Sequence, residues 1–137
     1  MGHVHADITL TNAADLVLCN RGLIKEPEIR RTMVTAMVDT GAATLVINED
    51  LRQQLGLDMD DSCSASLADG SKHTYQSTEP IVILWKNRKA ICHAIVMPAA
   101  DEVLLGVIPL EAMDLVVNPF KQELTGAHGD EILFSIK

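Results

Sequence analysis

The amino-acid sequence predicts a single, mainly β domain with one or two short helices. Its apolar residues occur in short runs, such as residues 81–85 and 90–97, whose length is typical of buried strands. Turn-forming residues separate these runs, among them the pair Asp69-Gly70. The composition is 47% hydrophobic but only 3% aromatic, so the core must be aliphatic. A length of 137 residues allows one domain with a core of ordinary size, spanning residues 1–137.

The first third of the chain contains two extended segments separated by a loop. Apolar residues alternate irregularly over residues 6–18 around the turn-forming residues 11–15, which predicts a hairpin or a broken strand. Asparagine, glycine and proline among charged residues make residues 20–28 a loop. Residues 29–38 are extended again, and this strand delivers Asp39 at its C-terminal end.

Two short helices are predicted from their end signals. Asn48 is a good N-cap and Gly56 suits the position just after the last turn, so a helix should lie between them. A second helix should begin at or near Pro109 and place Leu110 and Met113 on one face.

Residues 37–47 form an apolar run that is interrupted by Asp39, Thr40 and Gly41. A carboxylate in such a run bears a large desolvation cost unless it is hydrogen-bonded or paired. Gly41 permits a sharp turn that aims backbone N–H groups at this carboxylate, and Thr40 adds a hydroxyl. The simpler alternative is a turn between two buried strands in which Asp39 caps its own loop.

Two predicted hairpins follow. Residues 64–75 surround Asp69-Gly70, a signal for a two-residue type I′ turn, and their polar arms should project from the core. An ordinary surface hairpin is the alternative here. The apolar runs 81–85 and 90–97 should pair through a polar tip at residues 86–89, with Trp85 in the core or at its rim.

The segment from Val38 to Ala42, followed by Thr44 to Ile47, resembles the active-site loop of retropepsin-like aspartic proteases. Leu104-Leu105-Gly106 and the following helix resemble the family segment that threads beside this loop. The Asp69-Gly70 hairpin lies where family members carry their flap, and the likeness covers about residues 29 to 119. It implies a closed barrel or sandwich with one lobe per chain.

The resemblance also implies a function, that of an aspartic endopeptidase without a cofactor or metal. Peptide hydrolysis by carboxylates needs two of them, and the chain has a single Asp-Thr-Gly, so the partner would be a second copy of the chain. Asp39 would be the catalytic acid or base, Thr40 would brace the two loops, and Gly41 would offer its backbone to a peptide or protein substrate. Seven further residues would bind substrate: Ala42, Ala43, Leu67, Ala68, Asp69, Gly70 and Val107.

Two departures from the viral pattern leave an alternative open. Viral enzymes usually pair an acidic residue with an arginine at the positions of Ala43 and Val107. Replacing both partners avoids an unpaired buried charge. It leaves open a retropepsin-like binding or dimerisation module with little or no proteolytic activity.

Charge and composition argue against other classes of function. A net charge of −8 disfavours nucleic acid and anionic membranes as partners. The three cysteines are widely spaced, and His3 and His5 with the Cys92-His93 pair match no metal-ligand pattern. With no signal peptide and no spanning apolar segment, the sequence predicts a cytoplasmic protein. An apolar strand at residues 132–136 ends the chain, and the resemblance implies that it interleaves with a partner's strand.

Overall fold

A computed structural model describes residues 3–66, 72–118 and 120–128 of the chain. Within these ranges the fold is mainly β, as the sequence predicts. The strands are β1 (His5–Asn12), β2 (Arg31–Val38), β3 (Leu45–Ile47), β4 (Met59–Ser66), β5 (Lys72–Thr78), β6 (Ile81–Trp85), β7 (Arg88–Cys92), β8 (Ala94–Val96), β9 (Val103–Leu105), β10 (Leu115–Asn118) and β11 (Glu123–Gly126). The α-helices are α1 (Ala13–Asn20), α2 (Glu49–Gln54) and α3 (Val107–Ala112), and Glu26–Glu28 forms a 3₁₀ turn.

Nine of these strands form one sheet in the order β4-β5-β8-β3-β9-β2-β1-β6-β7, while β10 pairs with β11 separately. The sheet brings β9 between β2 and β3, which are consecutive in the chain. Val38 at the end of β2 pairs in parallel with Leu105, and Val46 in β3 pairs in antiparallel fashion with Leu104. The loop from Asp39 to Thr44 therefore begins and ends beside the same short strand.

The core is aliphatic, as the composition requires. Its most deeply buried members are Ile8, Leu10, Leu45, Ile47, Leu55, Leu57, Ile81, Ile83, Leu105 and Met113. Trp85 is partly buried and packs against this cluster, which confirms its predicted place in the core or at its rim.

Both predicted helices are present. The Asn48 side chain accepts a hydrogen bond from the Leu51 N–H at 2.8 Å, which caps α2. Gly56 ends it with a φ of +63°, and the N–H groups of Gly56 and Leu57 return to carbonyls of the last turn. Helix α3 begins at Val107, two residues before the predicted start, and buries Leu110 and Met113.

The prediction of a hairpin or broken strand over residues 6–18 is wrong, because strand β1 is followed by helix α1. The Asn12 side chain accepts from the Asp15 N–H at 3.2 Å and so caps α1. Asp15 is buried, and its carboxylate accepts three hydrogen bonds from Arg30, each 2.9 Å long. The polar residues that indicated a turn instead make a helix cap and an ion pair.

The run 90–97 is divided at His93, contrary to the single predicted strand. Strand β7 pairs with β6, whereas β8 pairs with β3 and β5. The tip of the β6–β7 hairpin is also shorter than predicted, since Trp85 pairs with Arg88 and only two residues connect them. Arg88 is buried and donates to the Met113 carbonyl at 2.8 Å, so it belongs to the fold and not to a polar tip.

Strands β4 and β5 form the predicted polar hairpin, in a register that pairs Ser66 with Lys72. The predicted turn at Asp69-Gly70 lies outside the described residues, as does the terminal strand predicted at residues 132–136. In the part of the chain that the structure describes, no helix has the length and apolar character needed to cross a membrane.

Candidate active site

Asp39 lies immediately after β2 and begins a tight turn. Its backbone N–H donates to the Leu105 carbonyl at 3.0 Å, and its own carbonyl accepts from the Ala42 N–H at 3.1 Å. The Oδ1 atom of its carboxylate accepts from the Gly41 N–H at 2.9 Å. A Cβ atom at position 41 would lie 3.1 Å from this same oxygen, so glycine leaves the carboxylate uncrowded. The half-buried Asp39 side chain is thus oriented by an amide two residues further along.

The outer side of this loop is open to solvent. Thr40, Gly41 and Ala43 are exposed, and Ala42 is partly exposed. An oriented carboxylate next to an exposed hydroxyl and exposed backbone can accept a proton from water and bind an extended peptide. The predicted catalytic residues Asp39, Thr40 and Gly41 therefore share one accessible turn.

The corner between β9 and α3 supports the loop through the backbone. The Val107 N–H donates to the Ala42 carbonyl and the Ile108 N–H donates to the Ala43 carbonyl, both at 2.9 Å. Gly106 makes this approach possible, because a Cβ atom there would lie 2.5 Å from the Ala42 carbonyl oxygen. These contacts hold the Asp39 loop against the first turn of α3.

The far end of the loop is fixed by side chains. The Thr44 hydroxyl donates to the His93 carbonyl at 2.9 Å. The thiol of Cys92 is buried behind the loop, and burial raises its pKa, although the Thr44 hydroxyl within hydrogen-bonding reach lowers it in part. A raised pKa keeps this thiol protonated and unreactive, which suits packing and not catalysis.

Comparison with known proteins identifies the family. Residues 26–112, more than half of the chain, match the family described as "gag-polyprotein putative aspartyl protease". The chain belongs to this aspartyl protease family. The predicted resemblance to retropepsin-like aspartic proteases is therefore confirmed.

A solved viral protease resembles this aspartyl protease family member in structure. The solution structure of simian foamy virus (mac) protease is similar, with 16% sequence identity and a TM-score of 0.45. The match covers 58% of this chain and 82% of the viral protein. No curated protein matches the sequence.

The predicted substrate-binding residues fall into two groups. Ala42 and Ala43 lie on the loop and Val107 lies beside it, so the structure brings these three together. Leu67, Ala68, Asp69 and Gly70 lie outside the described residues. Within the described ranges, no group of three His, Cys, Asp or Glu side chains could hold a metal ion.

The sequence did not predict the contact between Thr44 and His93 at the far end of the Asp39 loop. A hydroxyl within the apolar run 37–47 could have drawn attention to Thr44, since a polar group there needs a partner. Nothing in the sequence pairs it with His93, which is 49 positions away in the chain.

Proposed function

We propose that the protein is an aspartic endopeptidase that is active as a homodimer. The observation that carries the proposal is the Asp39 turn, in which a half-buried carboxylate is oriented by the Gly41 amide beside exposed loop backbone. Membership of the aspartyl protease family supports the same chemistry. Because the sequence contains one Asp-Thr-Gly, the second carboxylate would come from the other subunit.

Two such carboxylates close together cannot both be ionised, so they would share one proton. The ionised one would take a proton from a water molecule as that water attacks the peptide carbonyl. The protonated one would donate its proton to the carbonyl oxygen. Thr40 is exposed next to Asp39, where its hydroxyl could hydrogen-bond to the facing loop and hold the two carboxylates in register.

The substrate would lie across the exposed loop backbone in an extended conformation. Gly41 would offer its backbone, and Ala42, Ala43 and Val107 would form an apolar wall, with residues 67–70 of the β4–β5 hairpin completing the predicted binding site. With no charge at positions 43 and 107, affinity would depend on backbone hydrogen bonds and apolar contacts.

The same two positions favour the second candidate function, a dimerisation or binding module with little proteolysis. Ala43 and Val107 are both apolar, so neither offers a charged group to bind a substrate. A stable dimer that cleaves no unfolded protein at any pH would favour this alternative.

The deciding experiment compares the wild-type protein with Asp39→Asn. Purified protein is incubated with an unfolded protein substrate between pH 4 and 8, with and without a transition-state mimic that carries a hydroxyl at the scissile position. We expect cleavage by the wild type, inhibition by the mimic, and a loss of about 100-fold or more in Asp39→Asn, because an amide cannot act as a base.

Asp7→Asn is the matched control. Asp7 is exposed on β1 and accepts from the Thr35 hydroxyl at 2.7 Å, an acceptor role that an amide oxygen retains. This variant should cleave as the wild type does. Sedimentation of all three proteins measures the dimer separately. Full activity in Asp39→Asn would contradict the proposal.

A further inference from the structure

His93 lies where three parts of the fold meet. It separates β7 from β8, and β8 pairs on one side with β3, which leaves the candidate active site, and on the other with β5 of the polar hairpin. The backbone carbonyl of His93 accepts from the Thr44 hydroxyl at 2.9 Å. Its ring contacts Thr78, the last residue of β5, at the base of the hairpin.

The ring of His93 is held by that hairpin base. Its Nδ1 atom lies 2.7 Å from the Thr78 carbonyl oxygen. A carbonyl oxygen only accepts hydrogen bonds, so Nδ1 must carry the proton in this contact. The same nitrogen is 3.5 Å from the Asp60 carboxylate on β4, so both strands of the hairpin reach this ring.

Thr78 gives the contact a rigid base. Its side chain is fully buried, and its hydroxyl accepts from the Ala94 N–H at 3.1 Å while donating to the Glu79 carbonyl at 2.7 Å. The Glu79 N–H in turn donates to the Asp58 carbonyl at 3.0 Å. Hydrogen bonds made by Glu79, Thr78 and His93 therefore connect the hairpin base to Thr44 through these residues.

The His93 side chain is 52% exposed, yet its ring contacts the Thr78 carbonyl. The backbone carbonyl of the same residue accepts from the Thr44 hydroxyl at the far end of the Asp39 loop. Without the ring contact, the peptide that joins His93 to Ala94 would keep its hydrogen bonds to the Thr78 and Thr44 hydroxyls but would lose the third contact that fixes it. The acceptor of the Thr44 hydroxyl would then be held less firmly.

We propose that His93 is a positioning residue for the active-site loop, which it connects through its ring to the β4–β5 hairpin and through its carbonyl to Thr44. This inference rests on the proposed protease function for its kinetic consequence. His93 does not act on the substrate; it sets the position of the loop that carries Asp39.

The test uses three substitutions that differ in where they place a donor. In His93→Asn the side-chain amide nitrogen occupies nearly the position of Nδ1 and can still donate to the Thr78 carbonyl. In His93→Gln the donor is one carbon further out, and in His93→Ala there is none. His128→Ala is the matched control, because His128 is an exposed histidine that contacts Asp114 instead.

Loss of one ordinary hydrogen bond corresponds to about a fivefold change in a rate or equilibrium constant. We therefore expect kcat/KM to fall about fivefold in His93→Ala and in His93→Gln, and to stay within about twofold of wild type in His93→Asn and His128→Ala. Because the loop carries the reacting carboxylate, the fall should lie mainly in kcat. An unchanged His93→Ala enzyme, or equal losses in Ala and Asn, would overturn the proposal.

Amide hydrogen exchange provides a readout that needs no activity. The Ala94 amide donates to Thr78 Oγ1, so its exchange should accelerate about fivefold in His93→Ala and return toward wild type in His93→Asn. If the wild-type protein cleaves nothing, the proposed function fails, and the exchange experiment still decides whether His93 makes this connection. Unchanged exchange in His93→Ala would refute the connection itself.

Discussion

Gly106→Ala should both destabilise the fold and lower the activity. Gly106 lies at the corner between β9 and α3, where its backbone presses against the Asp39 loop. A Cβ atom added there would lie 2.4 Å from the Thr44 carbonyl oxygen, 2.5 Å from the Ala42 carbonyl oxygen and 2.8 Å from the Thr44 nitrogen. All three are backbone atoms, so no side chain can rotate away to relieve the contact.

The size of the effect follows from these distances. Non-bonded atoms pack at about 3.5 Å, so the corner must retreat from the loop by about 1 Å. The hydrogen bonds from Val107 and Ile108, both 2.9 Å long, would then be stretched beyond hydrogen-bonding distance. Two lost hydrogen bonds at about 1 kcal/mol each, with about 1–3 kcal/mol of strain, reduce the free energy of unfolding by about 3–5 kcal/mol. A shift of about 1 Å in the loop that carries Asp39 should lower activity about 100-fold.

The assay is urea unfolding together with proteolysis, at one fixed protein concentration because the proposed dimer would couple the two. Gly22→Ala is the control: Gly22 has a φ of +75° but open space around it. Gly22→Ala should lower the free energy of unfolding by only about 1–2 kcal/mol, because alanine disfavours the left-handed conformation, and its activity should be unchanged. If Gly106→Ala were as stable and as active as Gly22→Ala, the close approach of the corner to the loop would be refuted.

Two other predictions concern groups with shifted pKa values. Hydrogen bonds from Arg30 hold the pKa of Asp15 below its usual range. The ionised carboxylate therefore stabilises the fold at pH values above its unfolded-state pKa of about 3.9. This stabilisation is lost as the pH falls through the lower folded-state pKa. Urea unfolding should therefore show that Asp15→Asn lowers the free energy of unfolding by about 1–3 kcal/mol at pH 7 and by less near pH 2. An equal loss at both pH values would contradict the role of the ion pair. Burial raises the pKa of the Cys92 thiol. In a Cys19→Ser, Cys63→Ser variant, iodoacetamide should therefore label Cys92 at pH 8 at least about tenfold more slowly in the native protein than in the unfolded chain. Equal labelling rates would show that the thiol is accessible in the native state.

The parts of the fold that the sequence predicts are those fixed by local chemistry. Asn48 and Gly56 define α2 because capping depends on residues within one turn. The Asp39 turn is predictable for the same reason, since a carboxylate, a hydroxyl and a glycine in sequence make their own hydrogen bonds.

The parts that could not be predicted depend on distant partners. Asn12 and Asp15 have the composition of a turn. The Asn12 cap is local, but the buried Asp15 carboxylate also depends on hydrogen bonds from Arg30, 15 residues away. The division of the run 90–97 at His93 is similar. The residues of this run favour a strand throughout, yet β7 and β8 pair with different neighbours. The order of strands in the sheet, and not the composition of the run, determines where the run divides.

The backbone contacts around Gly106 hold the Asp39 loop without the charged pair that the resemblance to retropepsin-like proteases implies at positions 43 and 107. A buried ion pair must recover a desolvation penalty of several kcal/mol per ion and depends on both partners being ionised. Here the two segments are joined by hydrogen bonds from Val107 and Ile108 to loop carbonyls, and none of these groups titrates. These two backbone contacts are therefore insensitive to pH and salt. The subunits nevertheless carry a net charge of −8 each, so their association in the proposed dimer would be opposed by a repulsion that salt screens. It follows that added salt should act on activity through the dimer and not through these backbone contacts.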